Sequence, residues 1–243
     1  MFWRTFVSGK SSQFKLILTL AAALSIVSCT AQNSATPQTS NALRPVSSEK
    51  TRGSVSAPIF ADGDEFEIRL PSATAKALQL REDLVMVAKH DGNLTMFASA
   101  GNVQGEDGVF TIWFDPRFCI VQVRATVFQS RMRPCDQTAR FPLAVGKTWT
   151  AQFEITQFGQ RGASEGGNLI TATGTVSDIE QVAVPAGTFQ AYRIDVRLGG
   201  TPRTTLWYAP APVGFYVKAQ SNWPTGLNFD LVGYHRVNQS NKN

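Results

Sequence analysis

Alternation of apolar and polar residues is the feature of this sequence that most restricts its fold. The segment WTAQFEITQF, residues 149–158, places Trp149 and Phe153 on one side and polar residues on the other. The segments YRIDVR (192–197) and LNFDLVGYH (227–235) alternate in the same way. A period of two indicates a strand with one buried face. The chain is therefore predicted to be all-β and antiparallel, with at most one or two short helices.

Turn and helix signals lie between these alternating segments. Asp91-Gly92 is typical of a tight hairpin, and Pro185 with Gly187 is typical of a turn between two extended runs. One segment, Pro71 to Asp83, is rich in Ala, Leu, Lys and Gln, which favour helix. It predicts the one clear helix, with Ser72 as its N-cap.

The N-terminus has the layout of an export signal. Three basic residues precede an uncharged run over 16–27, which at roughly 12 residues is too short to span a bilayer. The tetrapeptide IVSC, residues 26–29, follows and resembles the lipobox of bacterial lipoproteins. We therefore expect a signal peptide over 1–28 and lipidation of Cys29. An ordinary signal peptide followed by an incidental cysteine is the alternative.

A lipidated Cys29 defines where the protein resides. Several acyl chains on one residue anchor a protein to a membrane without crossing it. Thr30 is not the aspartate that resembles an inner-membrane retention signal, so the lipoprotein sorting rule implies the outer membrane, with the protein facing the periplasm. Residues 29–58 contain almost no large apolar side chains and predict a flexible linker between the anchor and the fold.

The charge of the mature chain argues against a nucleic-acid partner. The full sequence has 23 basic and 18 acidic residues, and loss of the three basic residues of the signal leaves 20 basic residues against 18 acidic ones. Nucleic-acid binding requires a basic face and is usually accompanied by a recognisable motif. Neither is evident, and no nucleic acid is expected as a partner.

Two cysteines remain beyond Cys29. Cys119 and Cys135 form an even pair in an exported chain, which predicts a disulfide. Two unpaired cysteines are the alternative. No metal site is expected, because the mature chain has only His90 and His235, in unrelated contexts.

Gly146-Lys147-Thr148 resembles the end of a phosphate-binding loop, but its context does not fit. Such a loop requires an earlier glycine, which the segment FPLAV before Gly146 lacks, and it must open a helix. Here the alternating segment that begins at Trp149 follows instead. The sequence therefore predicts a turn into a strand and no phosphate site.

Three blocks of the C-terminal part resemble the TapB-like family, a domain of bacterial envelope proteins and lipoproteins. They are FPLAVGKTWT (141–150), GTVSDIEQVAVPAGTFQAYRIDV (174–196) and TTLWYAPAPVGFYVKAQ (204–220). The resemblance implies a domain over 141–243 built as a curved antiparallel sheet or half-barrel, similar to lipoprotein-carrier folds. It implies no catalytic chemistry.

Residues 59–140 form a separate β-rich region without such a resemblance. Whether this region and 141–243 make one sheet or two domains is left open by the sequence. TIWFDPRF (111–118) and TLWYAPAPVGF (205–215) are each a Trp-aromatic strand that ends in a proline turn, so a repeat of one sheet motif is one explanation.

Catalytic motifs are lacking. There is no nucleophile elbow and no HExxH sequence, and neither histidine has a partner motif. The acidic run ADGDEFE (61–67) lacks the spacing of a calcium loop and is interpreted as a solvated turn. We expect a protein that is not an enzyme and needs no cofactor.

Aromatic residues are the remaining lead to a function. A curved sheet can leave an apolar cavity, and its expected lining is Trp149, Phe153, Tyr192, Ile194, Trp207 and the loop residue Trp223. The first functional hypothesis is a non-catalytic envelope module that docks a partner protein. The alternatives are a carrier or sensor of a hydrophobic ligand, and a hydrolase of envelope polymers with two carboxylates or a His-carboxylate pair in a cleft.

Overall fold

A computed structural model describes residues 53–99, 110–126, 128–158, 164–200, 203–222 and 227–237, without the side chains of 164–166. In chain order the elements are β1 (Glu65–Arg69), α1 (Ser72–Leu78), β2 (Asp83–Asp91), β3 (Leu94–Ser99), β4 (Phe110–Phe114), β5 (Ile120–Ala125), β6 (Gln129–Arg133), β7 (Thr148–Phe158), β8 (Ser164–Val184), β9 (Gly187–Leu198), β10 (Arg203–Ala209), β11 (Phe215–Ser221) and β12 (Phe229–His235).

These strands form one closed antiparallel barrel. Each strand pairs with its neighbours in sequence, and β1 pairs with β12 to close the sheet. The all-β prediction is confirmed, and the curvature continues to full closure rather than stopping at a half-barrel. Strands from 59–140 and from 141–243 share this sheet, since β6 pairs with β7. The described strands therefore belong to one sheet.

The helix is shorter than predicted. It spans Ser72–Leu78 instead of Pro71 to Asp83 because Gln79 adopts a left-handed conformation with φ of 52°. That residue turns the chain toward β2. The expected cap is also wrong: Ser72 is the first helical residue, Pro71 occupies the N-cap, and no side chain caps the helix. Of the described residues, none belongs to a helix with the length and apolar character needed to cross a membrane.

The predicted turns are present. Gly187 has φ of 133°, where a side chain would be strained, and it begins β9 directly after the Pro185-Ala186 corner. Gly146 has φ of 88° and leads into β7. The Nζ atom of Lys147 donates to the carbonyl oxygens of Arg140 at 2.6 Å and Pro142 at 2.7 Å. Lys147 thus stabilises the turn that leads into β7.

The Trp-aromatic strands occupy equivalent places in the barrel. β4 is the fourth strand of the first six and β10 is the fourth of the second six. The register with the following strand shifts between Trp113 and Phe114 and again between Trp207 and Tyr208. Each tryptophan N–H donates to a carboxylate two strands back, Asp91 for Trp113 and Glu180 for Trp207. These shared details favour two copies of one six-strand unit.

One end of the barrel is filled with aromatic rings. We call it the aromatic end; it is the end at which β1 begins, and its rings have centroid separations of 4.4–6.4 Å. Phe60 lies before β1 and contacts four of the other rings. The cluster consists of Phe60, Phe66, Phe97, Phe114, Phe118, Phe141, Tyr208, Phe215 and Tyr216. Large rings in contact exclude water from this part of the barrel.

A buried ion pair lies beside the strands that close the barrel. Asp64 precedes β1, is fully buried, and accepts from the backbone N–H groups of Ala61 and Val237, each at 2.8 Å. Arg236 follows β12, and its Nε atom lies 3.0 Å from a carboxylate oxygen of Asp64. The same guanidinium donates to two carbonyl oxygens and lies over the rings of Phe60 and Phe66. The pair joins the two ends of the described chain.

Arg236→Met is expected to destabilise the barrel by about 3–5 kcal/mol, because it leaves the Asp64 carboxylate buried without a counter-charge. Urea unfolding at neutral pH measures the change. Arg69→Met is the matched control: its ion pair with Asp83 has side chains 51% exposed, so a loss below about 1 kcal/mol is expected. Equal losses in the two variants would contradict a special role for the Asp64–Arg236 pair.

Candidate functional site

An apolar cavity lies inside the barrel, toward the end opposite the aromatic end. We call that end the open end; α1 lies there, and β7, β9 and β11 finish there. The cavity has a volume of about 350 Å³, within the range of small-molecule sites. It is lined by Leu78, Phe110, Ile112, Ile120, Val123, Phe128, Ser130, Met132, Asp136, Ile155, Gln157, Leu198, Thr204, Ser221 and Leu227.

Along two strands that line the cavity, the inward side chains become more exposed toward the open end. Along β7 the inward side chains change from buried Trp149 and Phe153, 7% and 4% exposed, to half-buried Ile155. Along β9 they change from fully buried Ile194 to half-buried Leu198. On β7 and β9 the exposure of the inward face therefore rises toward the open end, whereas Phe110 of β4 and Leu78 of α1 are buried there. An interior that is apolar and yet accessible is suited to receive a small apolar molecule.

Asp136 is the one ionisable residue among the described residues that line the cavity. Its carboxylate accepts from the backbone N–H of Thr138 at 3.2 Å and of Ile120 at 3.4 Å, and from the Thr138 hydroxyl at 3.0 Å. Burial raises the pKa of Asp136 to about 6, against the opposing effect of these hydrogen bonds. None of the ion pairs found in the described part of the chain includes Asp136.

The predicted disulfide is present and holds the segment that carries Asp136. Cys119 and Cys135 are bonded, with their Cα atoms 5.7 Å apart. Cys119 directly precedes β5 and Cys135 directly precedes Asp136, so the bond ties the start of β5 to the chain leaving β6. The backbone N–H of Gln137 also donates to the Cys119 sulfur. The cavity wall at Asp136 is thereby fixed on both sides.

Four of the predicted ligand-binding residues are part of the packed interior instead. Trp149, Phe153, Tyr192 and Ile194 are all less than 9% exposed and do not belong to the lining of the cavity. The indole N–H of Trp149 donates to the Gln137 carbonyl oxygen, and its ring covers Gly174. The Tyr192 hydroxyl donates to the Gly53 carbonyl oxygen. Their packing leaves no room for a ligand at these positions.

Trp207 lies on the other face of the sheet, which corrects its placement in the predicted concave lining. Leu206 pairs with Ile194 and Trp207 pairs with Arg193, so successive residues of β10 point to opposite sides. Trp207 is covered from outside by Glu180 and by Lys218, whose ammonium lies 5.8 Å from the ring centroid. Trp223 and Cys29 fall outside the described residues.

The residues that line the cavity went unrecognised as a site in the sequence. Nine of the fifteen come from 59–140, the region without a family resemblance, and several are ordinary strand residues such as Val123 and Met132. The signal that was available is the alternation in GVFTIWF and CIVQVRATVF, which predicts strands but not which side chains leave a gap. Locating the cavity requires the register of the seven strands that line it and the position of the helix.

The charged clusters considered in the sequence do not assemble a second site. Asp62 accepts from the backbone N–H and ring Nδ1 of His90, at 2.7 and 2.6 Å, and both side chains are more than half exposed. Hydrogen bonding to His90 lowers the pKa of Asp62. Asp64 of the same acidic run is bound to Arg236 instead. The described residues hold one group with metal-ligating atoms in proximity, Asp115 with Cys119 and Cys135, and its sulfurs are used in the disulfide.

A polar network around Asp195 covers the outer face of β8 to β10. Burial alone would raise the pKa of Asp195, but hydrogen bonds from Arg203, Thr205 and Ser177 outweigh it, and the pKa is lowered. The Arg203 Nη2 atom lies 2.6 Å from its carboxylate. Arg193 is the fourth partner of this carboxylate. We therefore interpret the network as a structural feature of the barrel surface.

No family model and no curated protein matches this sequence, so the resemblance to the TapB-like family over 141–243 gains no support from sequence comparison. Among solved structures, the chain is similar to the crystal structure of the hypothetical lipoprotein YmcC from Escherichia coli. The TM-score is 0.45 with 9% identity, over 73% of this chain and 89% of that one. Similarity at this level assigns no function.

Asp136→Asn is expected to change how stability depends on pH. The folded-state pKa of Asp136, about 6, lies above the ordinary value of 3.8 for an aspartate, so the stabilising effect of the bound proton is complete below pH 4 and is lost as pH rises through 6. Because one pKa unit corresponds to about 1.4 kcal/mol, the penalty above pH 7 is on the order of 3 kcal/mol.

Urea unfolding of the wild type and of Asp136→Asn at pH 4.5, 6 and 7.5 measures this. As pH rises, the free energy of unfolding of the variant should increase relative to that of the wild type. Other carboxyl groups titrate equally in both proteins and cancel. Parallel pH profiles would show that burial does not raise the pKa of Asp136.

Proposed function

We propose that this protein is a lipid-anchored protein of the bacterial cell envelope that binds a small hydrophobic ligand inside its barrel, without catalysing a reaction. The observation that carries the proposal is the cavity toward the open end, whose apolar lining includes half-buried side chains such as Ile155, Met132 and Leu198. The finer location, at the outer membrane and facing the periplasm, follows from Thr30 beside the lipobox cysteine, Cys29. The carrier or sensor alternative is thus preferred to the docking module.

Closure of the sheet weakens the case for docking through a strand edge. A free edge exposes unpaired N–H and C=O groups on which a partner can add a strand. Among the described strands each has two neighbours, including β1 and β12. Docking of an envelope partner therefore has less structural support than ligand binding.

A hydrolase also has little support in the described residues. Hydrolysis of envelope polymers needs two carboxylates or a His-carboxylate pair in a cleft. Asp62 and His90 form an exposed surface pair, and the cavity contains one carboxylate, Asp136. A binding role requires neither a second acid nor a nucleophile, and it needs no cofactor.

The energetics favour an apolar ligand. Each Å² of apolar surface removed from water contributes about 25 cal/mol, and cavity side chains such as Ile155, Met132 and Leu198 are only half-buried. A ligand would bury its own surface and theirs together. The rigid strands around the cavity reduce the entropy lost on binding.

Ile155→Arg should weaken binding of an uncharged apolar fluorophore, N-phenyl-1-naphthylamine, by about tenfold or more, because it places a charge in the accessible part of the cavity. Fluorescence titration of the purified, unacylated Cys29→Ser protein measures the affinity. Gln152→Arg, on the exposed outer face of the same strand, is the control and should bind as the parent does. Equal binding by both variants, with folding verified by circular dichroism, would mean that the fluorophore binds elsewhere.

Cys29→Ser is expected to release the protein from the membrane fraction into the soluble periplasmic extract, because the residue that carries the acyl chains is lost. Fractionation with immunodetection measures the distribution, and incorporation of labelled palmitate reports lipidation directly. Cys119→Ser is the control for loss of a cysteine and should remain in the membrane fraction. Retention of the Cys29→Ser protein in the membrane would overturn the proposed anchor.

A further inference from the structure

We infer that the cavity selects amphipathic molecules with a cationic head group, such as a protonated amine, and holds that head against Asp136 with the apolar tail directed to the open end. The inference rests on the proposed function, since it names the chemistry of the ligand that the cavity would take. It follows from the position of Asp136, from the charges around it, and from the lining of the rest of the cavity.

Asp136 lies at the inner end of the cavity. Its backbone N–H donates to the carbonyl oxygen of Ile120 at 2.9 Å, and Ile120 is the first residue of β5, which starts toward the aromatic end. Leu78, Leu198 and Leu227 line the opposite, open end. A ligand that spans the cavity therefore has one end at a carboxylate and the other among leucines.

None of the ion pairs found among the described residues includes Asp136; the nearby guanidinium of Arg117 contacts the sulfur of Cys135 at 3.7 Å. The hydrogen-bond donors to Asp136, two backbone N–H groups and the Thr138 hydroxyl, are uncharged. The charged group that influences it from the β4–β5 turn is Asp115, which is negative and already paired with Arg117 at 2.6 Å. From β11 it faces Tyr216, whose pKa is raised by burial, so the phenol is neutral.

A carboxylate held in an apolar cavity without a counter-ion is costly. A ligand that brings a positive charge replaces this cost with a charge-assisted hydrogen bond, which is stronger than a neutral one. A ligand that brings a carboxylate of its own adds repulsion. The cavity should therefore prefer an amine to an acid of the same chain length.

The polar residues nearer the open end do not provide a competing head-group site. The hydroxyl of Thr204 donates to the Ser221 hydroxyl at 3.1 Å, so these two groups satisfy each other. Neither carries a charge. The remaining lining between them and Asp136 is mostly aliphatic and aromatic, as suits a hydrocarbon tail.

The experiment compares n-decylamine, n-decanol and n-decanoate, each as a competitor that displaces N-phenyl-1-naphthylamine from the unacylated Cys29→Ser protein at pH 8, below the concentration at which they form micelles. The expected result is that decylamine binds about tenfold or more tightly than decanoate, with decanol between them. In Asp136→Asn the ratio of amine to acid affinity should fall to about one. Asp115→Asn removes a neighbouring charge outside the cavity lining and should keep the preference.

A pH series distinguishes contact between Asp136 and the ligand from a purely structural role of Asp136. Only contact with the ligand would make the preference for the amine depend on pH. The preference for decylamine over decanol should be complete at pH 8 and decrease toward pH 5 as Asp136 takes up a proton. Decylamine itself stays protonated over this range, because alkylamines have high pKa values comparable with that of lysine. The Asp136→Asn protein should show no such pH dependence.

The outcomes separate the two proposals. Binding of all three amphiphiles with equal affinity, unaffected by Asp136→Asn, would overturn the cationic head group and leave the hydrophobic cavity in place. Tighter binding of decanoate than of decylamine would overturn it as well. If neither the fluorophore nor any of the amphiphiles binds to the folded protein, the proposed function itself fails and the inference with it.

Discussion

Pairing between the first and last strands is the constraint on which the rest of this structure depends. β1 and β12 are separated by nearly the whole described chain, yet they align over five residues of β1, and the Asp64–Arg236 ion pair lies directly beside them. Without that pairing the sheet would have two open edges, and its inward face would be open along one side. Closure turns a curved sheet into an enclosure with two distinct ends.

The two ends differ because of the side chains that point inward. Near the start of β1, rings from several strands and turns meet and fill the space. Toward α1 the inward residues are smaller or less complementary, such as Ser130, Val123 and Thr204, and a gap remains. Packed interiors rarely tolerate such gaps, so an accessible one beside a buried carboxylate is the feature with the best claim to a function.

Local patterns in the sequence predicted local structure well. The alternation at 149–158 and 192–197 marks β7 and β9, Gly187 has the positive φ that its turn requires, and the two cysteines are bonded. Such local patterns could not predict the cavity, because its lining depends on the register between strands that are distant in sequence. Trp207 illustrates the difficulty: one position along β10 decides whether an aromatic residue faces the core, as Tyr208 does, or the polar exterior.

The N-terminal segment of the described chain and the cavity lie at opposite ends of the barrel. The described part begins at Gly53, whose carbonyl oxygen is held by Tyr192, and passes through the Val55–Leu143 bridge to Phe60 at the aromatic end. The cavity lies toward the opposite end. The described N-terminal segment therefore lies at the aromatic end, away from the cavity. No described residue before β1 lines the cavity, so this segment and a molecule inside the cavity would not compete for the same space.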